Sequence, residues 1–397
     1  MSTGTTAYDT ARVLLPAHQG NRLQRLARTL STPGGAIFIL VGLLLAAVIV
    51  ANPNFGEPGS LIRFIGRTAP IAIAAMGQYF VIVAGEFDLS MGSVVTLQVI
   101  VAGNLIGQDE SKILPVMLLM FGLGALVGLI NGLATTLLRV PSFIVTLGTM
   151  LALLGLVMHW TGGAATGNPV DAFRQIGRGG IRDVPILEII PYPAIILLVL
   201  AVGAVILMRR PWGRTLIAAG DNPEATHLAG APVWWVKTRA FILSSLAATV
   251  AGIILVGYAG VHPSVGRGYE FTAITAVVLG GVVLGGGRGW VLSAAAGAFA
   301  LELLFTLLNF VGVASTWRDS VQGLIIIVAV AAAGKAWRGS LRPRRRDRTP
   351  PAATPSAQPG ATAPLAADLA TPHTPGSPAG DSTGPNQPDP GTTTGEN

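Results

Sequence analysis

Residues 114–138 read LPVMLLMFGLGALVGLINGLATTLL, an uncharged stretch bounded by Lys112 and Arg139. About 20 apolar residues in a helix are enough to cross the hydrocarbon core of a bilayer. A helix on the surface of a soluble protein carries charged or polar residues along one face, and this stretch has no charge on any face. The stretch therefore predicts a helix that spans a membrane.

The composition of the whole chain agrees with a membrane location. Of its 397 residues only 11% are charged and 51% are hydrophobic, against about 25% charged residues in a typical soluble domain. The absence of cysteine excludes disulfides, thiolate metal sites and cysteine nucleophiles. The five histidines lack the close spacing that a metal site needs. The net charge of +7 comes from Lys and Arg that flank apolar segments, so it does not indicate a nucleic-acid partner.

Ten apolar segments are predicted to span the bilayer. We therefore expect an all-α integral membrane protein, a bundle of about ten transmembrane helices of which several are short or broken. If both ends of the chain lie inside the cell, 18 of the 26 Lys and Arg lie in inner segments, as the positive-inside rule requires. The predicted spans are 34–51, 70–85, 93–107, 114–138, 143–161, 189–208, 239–259, 272–284, 289–311 and 320–336.

The two ends of the chain differ from its apolar middle. Residues 1–33 are polar and lack the apolar core of a signal peptide, so we expect a cytoplasmic N-terminal arm. The transmembrane domain covers 34–336. Residues 337–397 are first basic and then proline-rich, with too little apolar surface to offset the entropy of ordering. They predict a disordered cytoplasmic tail.

Glycines recur at every fourth position in two places. Such rows let neighbouring helix backbones approach closely in a membrane. We interpret them mainly as packing surfaces, although the run from 285 to 289 also has the composition of a tight turn. The two rows are Gly124, Gly128 and Gly132, and Gly281, Gly285 and Gly289.

A polar stretch at 85–93, GEFDLSMGS, separates two short predicted spans. A charge at the centre of a membrane helix costs about 2.5–3.5 kcal/mol on insertion scales, so its two carboxylates should face water, a partner or a helix terminus. One hypothesis is a structural hinge in which Asp88 or Ser90 caps the next helix, and the other is contact with a solute or gate. For polar residues within spans, bonding between helices is the alternative role. The candidate path or gate residues are Glu86, Asp88, Ser90, Asn131, Thr146 and Asn309.

The segment 209–239 is predicted to be an inner loop that contains a short helix. Asn222 is placed to cap a helix beginning at Pro223, since proline suits the first helical position. Glu224 then lies in the first turn, where the helix dipole favours negative charge, and Gly230 suits the C-terminal end. A helix of about two turns is unstable alone in water, so it needs packing against the bundle or a partner.

The chain has no motif for ATP hydrolysis or covalent catalysis. Its only Gly-Lys pair, Gly334-Lys335, is followed by Ala336 and lacks the upstream glycine of a phosphate-binding loop. Neither Gly-x-Ser-x-Gly nor His-Glu-x-x-His occurs. We therefore expect a chain that is not an enzyme and binds no cofactor.

Ordered motifs over roughly residues 60–335 resemble the permease of the ribose/xylose/arabinose type of ATP-binding-cassette importers. The segment 213–230, GRTLIAAGDNPEATHLAG, resembles the coupling loop of that family, whose usual form is close to GRxxxAxGGNxxAARLSG. His227 stands where the family usually has Arg, and the 162–188 external loop has no counterpart in it. The other matching stretches are FDLSMGS at 87–93, NG at 131–132, VPSFIVTLG at 140–148, GYEFTAI at 268–274, VVLGG at 277–281, GGRG at 286–289 and GLII at 323–326.

The resemblance implies an assembly at the bacterial plasma membrane. It would contain a second permease copy or paralogue, two cytoplasmic ATPase subunits that bind ATP and Mg, and an external solute-binding protein. The implied cargo is a monosaccharide or a similar small polar solute. The coupling helix would sit in a groove on the ATPase, whose closure would open the bundle to alternate sides. The coupling residues implied are Gly213, Arg214, Gly220, Asp221, Asn222, Pro223, Glu224, Ala225, Leu228 and Gly230.

A stand-alone secondary transporter or channel for a small polar solute is the alternative hypothesis. Spans two to five and seven to ten start on opposite sides of the membrane in the predicted topology, as in the inverted repeats of many carriers. The two hypotheses differ in whether transport needs an ATPase partner.

The topology is testable with reporter fusions. Fusions at Gly20 and Pro359 should both report a cytoplasmic location, because the basic clusters near both ends of the chain favour the inner side. An external signal from either fusion would contradict the even number of spans.

Overall fold

The computed structural model describes residues 33–340. The predicted cytoplasmic arm, apart from its last residue, and the tail from residue 341 onward lie outside the described residues.

Thirteen α-helices and one β-hairpin make up the described part of the chain. Short 3-10 turns at Pro53–Gly56, Glu110–Lys112 and Ser315–Trp317 connect some of them. The helices and strands are α1 (Pro33–Ala51), α2 (Pro58–Val83), α3 (Met91–Ile106), α4 (Ile113–Thr136), α5 (Ser142–Thr161), α6 (Asp171–Arg178), β1 (Gly180–Val184), β2 (Glu188–Pro191), α7 (Tyr192–Arg209), α8 (Pro211–Asp221), α9 (Pro223–Leu228), α10 (Val233–Tyr258), α11 (Tyr269–Leu279), α12 (Val291–Phe310) and α13 (Arg318–Ser340).

The predicted all-α membrane architecture is confirmed. Seven of the described helices are long and apolar enough to cross a bilayer, namely α1, α2, α4, α5, α7, α10 and α12. The shorter apolar helices α3 and α11 occupy the predicted spans 93–107 and 272–284. Helix α13 covers the last predicted span, so each of the ten predicted segments contains a helix.

The second predicted span begins too late in the sequence. Helix α2 starts at Pro58, twelve residues before the predicted start, and passes through Pro70 without ending. The predicted span begins at residue 70 and places Arg63 and Arg67 in the preceding external loop. In the structure Arg63 and Arg67 belong to the first turns of α2, and Arg63 forms an exposed ion pair with Glu188 of β2 at 3.4 Å.

The predicted external loop at 162–188 is largely ordered as helix and hairpin. Strands β1 and β2 pair antiparallel, with Gly180 opposite Pro191. Helix α6 packs against the end of α10, where Phe173 is fully buried. A Cβ on Gly257 would lie 2.6 Å from the carbonyl oxygen of Arg174, so the two backbones are in direct contact.

Helices α2 and α10 form the centre of the bundle. In their apolar windows 89% and 72% of the residues are buried, against 17% in α1, α5 and α7. The outer helices instead expose large apolar side chains such as Leu126, Leu151 and Leu198. Such side chains are stable only against lipid or another apolar surface, which agrees with a membrane bundle.

The four helices α2–α5 and the four helices α10–α13 pack in the same order. Helix α10 packs against α3 and α4, and α2 packs against α11 and α12. In each set the second helix is short and follows a non-helical segment, residues 84–90 before α3 and 259–268 before α11. This correspondence matches the two halves of the predicted repeat.

The first glycine row is confirmed as a packing surface. Gly124, Gly128 and Gly132 face α10, and a Cβ on Gly128 would lie 2.6 Å from the Cα of Ile242. The second row is not helical, because α11 ends at Leu279 and residues 280–290 form a turn. Two of its three glycines, Gly281 and Gly289, have positive φ, a backbone conformation that breaks a helix and that glycine adopts without strain.

Replacing Gly128 by alanine should destabilise the bundle. The added methyl group meets the backbone of α10, which can yield only if the two helices separate, and overpacking of this kind costs about 1–3 kcal/mol. Gly122→Ala on the same helix is the matched control, since a Cβ there meets nothing within 4 Å. Thermal unfolding of both variants in detergent should show a lower Tm for Gly128→Ala alone, and equal Tm values would contradict the close contact.

Candidate functional site

The polar stretch after α2 forms a non-helical break between two buried helices. Helix α2 ends at Val83, Gly85 takes a positive φ of 79°, and α3 begins at Met91. Non-helical backbone at membrane depth is tolerated only where it is buried in protein or lines a cavity. Residues 84–90 should therefore have their polar groups satisfied by neighbouring helices.

A buried hydrogen-bond network around Asp88 satisfies most of these groups. One carboxylate oxygen of Asp88 accepts from the backbone N–H and the hydroxyl of Ser90, at 3.0 and 2.6 Å, and the other accepts from Ser244 of α10 at 2.7 Å. Asn131 of α4 donates to the Ser90 hydroxyl at 2.9 Å and accepts from Thr149 of α5 at 2.6 Å. Asp88, Ser90 and Asn131 are fully buried, so this network joins α4, α5 and α10 through the break.

The first turn of α5 holds the backbone of Phe87. The hydroxyl of Ser142 accepts from the Phe87 N–H at 3.1 Å, and Thr146 lies 3.3 Å from the Phe87 carbonyl oxygen, to which its hydroxyl donates. The same hydroxyl lies 2.8 Å from the Ser142 carbonyl oxygen, so its single hydrogen is shared between the two acceptors, and Thr146 is fully buried. Both backbone polar groups of Phe87 are therefore bonded to α5.

Glu86 forms an ion pair with Lys237 near the start of α10. The Lys237 Nζ and the Glu86 Oε1 are 2.6 Å apart, and the two side chains are 12% and 17% exposed. A cavity of about 500 Å³ opens beside the pair and is also lined by Glu224 and His227. The ion pair therefore borders the same cavity as two side chains of α9.

The structure corrects the predicted capping and separates one candidate from the others. Ser90 stands at the cap position of α3, but its side chain makes no capping bond. The carboxylate of Asp88 bonds to Ser90, the residue before the first turn of α3, and to Ser244, so it does not cap an N–H inside the helix. Asn309 is exposed at the next-to-last position of α12, away from the Asp88 network.

The predicted short helix in the inner segment is confirmed as α9. The Asn222 side-chain oxygen accepts from the Ala225 N–H at 2.9 Å, with Pro223 in the first turn, and Gly230 reverses the chain with a φ of 85°. The first half of the segment, expected to be a loop, forms the helix α8. Gly213 lies in the tight corner between α7 and α8, where a Cβ would be 2.5 Å from the Met208 carbonyl oxygen.

The end of α8 lies directly against the break. Gly220 contacts the carbonyl oxygen of Val83, the residue that ends α2, and a Cβ on Gly220 would lie 2.7 Å from the Gly287 nitrogen. Gly287 in turn donates to Val83 at 2.8 Å. The sequence could not reveal this contact, because the contact joins three segments that are far apart in the chain. The only local feature that these segments share is a glycine, namely Gly85, Gly220 and Gly287.

Most of the coupling residues are exposed. Gly213 and Gly220 are buried in the corners just described, whereas the other eight coupling residues are exposed on the surface. Leu228 has 80% of its surface exposed, although it is a large apolar side chain. Thr226 is the buried residue of α9, and its hydroxyl donates to the Asn222 carbonyl at 2.8 Å.

Among the described residues no group of three His, Asp or Glu side chains is placed to hold a metal. The polar side chains of the break bond to one another and to neighbouring helices, and most residues of α9 are exposed on the surface.

Comparison with known families identifies the family of this chain. Residues 60–330 match the family described as branched-chain amino acid transport system / permease component. The chain belongs to this permease family. The match covers α2 to α12 and much of α13, and therefore both sets of four helices.

Curated relatives cover most of the permease. The ribose import permease protein RbsC of Haemophilus influenzae is 35% identical over 303 residues, which is 74% of this chain and 91% of that protein. The autoinducer 2 import system permease protein LsrC of Enterobacter sp. and the fructose import permease protein FrcC of Rhizobium meliloti are each 30% identical. They cover 78% and 79% of this chain and 88% and 89% of their own lengths. No solved structure matches it.

These comparisons confirm the resemblance to importer permeases that the motifs indicated. The permease is a transport component and not an enzyme, and it is a multi-pass protein of the inner membrane.

Replacing Asp88 by alanine should weaken the permease without preventing its insertion. The hydroxyls of Ser90 and Ser244 would lose their buried acceptor, and each unsatisfied group costs about 1–3 kcal/mol. We expect a lower Tm in detergent and impaired transport in cells.

Asp109→Ala is the matched control for this variant. Asp109 accepts from the N–H and hydroxyl of Ser111 at the same distances, 3.0 and 2.6 Å, but on an exposed turn. Its loss should leave Tm and transport near those of the parent. Normal transport by a stable Asp88→Ala protein would show that the network is not needed for the transport cycle.

Proposed function

We propose that this permease is the membrane-spanning subunit of an ATP-driven importer for a monosaccharide or similar small polar solute. The solute would be delivered by an external binding protein, and ATP and Mg would be bound by two cytoplasmic ATPase subunits. A second permease copy or paralogue would complete the assembly, with both ends of each chain in the cytoplasm. The relatives named for ribose and fructose import support the choice of cargo.

The exposed face of α9 is the observation that carries the proposal. Burying a Leu side chain is favourable by about 1.5–3 kcal/mol, so the 80% exposure of Leu228 favours contact with a partner. The partner is not lipid, because the charged Glu224 and the polar His227 lie on the same short exposed helix. A mixed surface with one apolar anchor fits a groove on another protein. We propose that this protein is the ATPase.

The backbone contacts of α8 supply a route from the ATPase to the membrane domain. A displacement of α9 would move the attached end of α8 at Gly220, and Gly220 touches Val83 and Gly287 without intervening side chains. Close-packed backbone transmits displacement because it has no free volume to absorb it. The break would then move relative to α10, where Lys237 holds Glu86.

The candidate path residues divide between hinge and gate in this proposal. Asp88, Ser90, Asn131 and Thr146 act as the hinge, because their hydrogen bonds are directed to one another and to the break. Glu86 acts at the inner gate, since its ion pair with Lys237 must change partners if the break moves away from α10. Asn309 has no part in either.

Leu228→Asp should uncouple the permease from its ATPase. The variant loses the apolar contact that Leu228 makes in the proposed ATPase groove, and the new carboxylate is buried there without a partner. The affinity for the ATPase should therefore fall about tenfold or more. The measurement is ATP-dependent uptake in vesicles reconstituted with the ATPase and the binding protein, together with co-purification of the ATPase. Ile186→Asp is the matched control, because Ile186 is 83% exposed but lies in the β-hairpin turn.

Two results would contradict the proposal. Normal ATPase binding and uptake by Leu228→Asp would exclude α9 as the coupling element. Uptake by the parent permease without any ATPase would favour the stand-alone carrier.

A further inference from the structure

Three cavities adjoin one another around the start of α11. The first, of about 330 Å³, lies among α2, α10, α11, α12 and α13. The second, of about 660 Å³, shares Arg267, Thr272 and Gln322 with the first. The third, again about 330 Å³, shares Arg267 and Glu270 with the second. Each volume lies within the range of about 300–1,000 Å³ that is typical of small-molecule sites.

The cavities extend to the beginning of α3 because the segment 259–268 folds into the bundle. The Gly266 N–H donates to the hydroxyl of Thr96 at 3.1 Å, and a Cβ on Gly266 would lie 2.7 Å from the same hydroxyl. The third cavity is accordingly lined by Ser93, which donates to the carbonyl oxygen of Ser90 at 2.7 Å. The row of cavities therefore ends next to the hinge described above.

The first cavity is lined by one carboxylate within the apolar bundle and by two Arg side chains, of which Arg67 is exposed and Arg318 half-buried. Glu302 lies in the middle of α12, and Arg67 and Arg318 line the same cavity. Charged residues inside a membrane bundle are costly and usually mark a solute path. The Arg318 guanidinium lies over the ring of Phe305, 5.1 Å from its centroid, and its Nε has no hydrogen-bond acceptor among the described residues.

The chemistry of the lining favours a neutral polar ligand. Across the three cavities the three guanidinium groups of Arg67, Arg267 and Arg318 are matched by three carboxylates, those of Glu270, Glu302 and Asp319. Such a lining offers many hydrogen-bond donors and acceptors and therefore suits a ligand with several hydroxyl groups. The rings of Tyr258, Tyr269 and Phe305 add apolar faces to the first cavity.

We infer that the first two cavities form a solute site within each permease chain, selective for a neutral polyhydroxylated molecule. The inference rests on the proposed import function and adds to it the place where the solute is held. The Asp88 network is not that place, because its bonds are already made within the protein. A lipid headgroup is the competing occupant, and the experiment below distinguishes the two.

The lack of cysteine makes the site testable by chemical modification. Thr272→Cys introduces a single thiol at the wall shared by the first two cavities. In vesicles that contain the assembled transporter, we expect D-ribose or D-fructose to slow modification by a membrane-impermeant methanethiosulfonate. At three times the Kd the rate should fall about fourfold, since three quarters of the sites are then occupied. Ser111→Cys on the exposed turn before α4 should be modified at a rate that neither sugar changes.

Equal rates at Thr272→Cys with and without both sugars would overturn the inference, and protection by glycerol 3-phosphate alone would assign the cavity to lipid headgroups. Both results are independent of ATP-driven uptake by the parent permease, so they separate failure of the site from failure of the proposed function.

A second variant tests the site during transport. Glu302→Gln keeps the shape of the side chain and removes its charge, and we expect uptake of the sugar that protects Thr272→Cys to fall about tenfold or more. Co-purification of the ATPase should not change. Glu188→Gln is the control, because this carboxylate lies on the exposed hairpin. Normal uptake by Glu302→Gln would contradict a role for this carboxylate in holding the solute.

Discussion

The hydrocarbon core of a bilayer offers no hydrogen bonds, and the rest of this structure follows from that constraint. A chain can interrupt a helix at membrane depth only if neighbouring helices bond to the freed polar groups. Here α4, α5 and α10 supply those bonds through Asn131, Ser142 and Ser244. The break before α3 is therefore both the most constrained polar region of the bundle and a point at which several helices are joined.

The same constraint explains why glycines concentrate at the contacts between elements. With lipid outside, apolar burial alone does not drive helices together, so association depends on close packing. Gly128 brings the backbone of α4 against α10, and Gly220 brings α8 against Val83. In both places a side chain would separate the backbones. The bundle core and the proposed coupling route thus depend on the same feature.

The polar groups of the bundle fall into two kinds according to whether their bonds are made. In the Asp88 network donors and acceptors are paired within the protein, which stabilises one arrangement of the break. In the cavities beside Glu302 and Glu270, by contrast, polar side chains line open space. Paired groups favour a structural role and unpaired groups a ligand, since a buried donor without a partner is costly.

The sequence by itself determined the membrane architecture, the ten helical segments and the helix that begins at Pro223. These depend on local properties, namely runs of apolar residues, charges at their ends and the capping chemistry of Asn222. The tertiary structure alone decided which polar residues meet. Asp88 and Ser244 are 156 positions apart, and the pairing of Glu86 with Lys237 spans 151. Contacts over such separations depend on how the helices pack, and a single sequence contains no local pattern that records it.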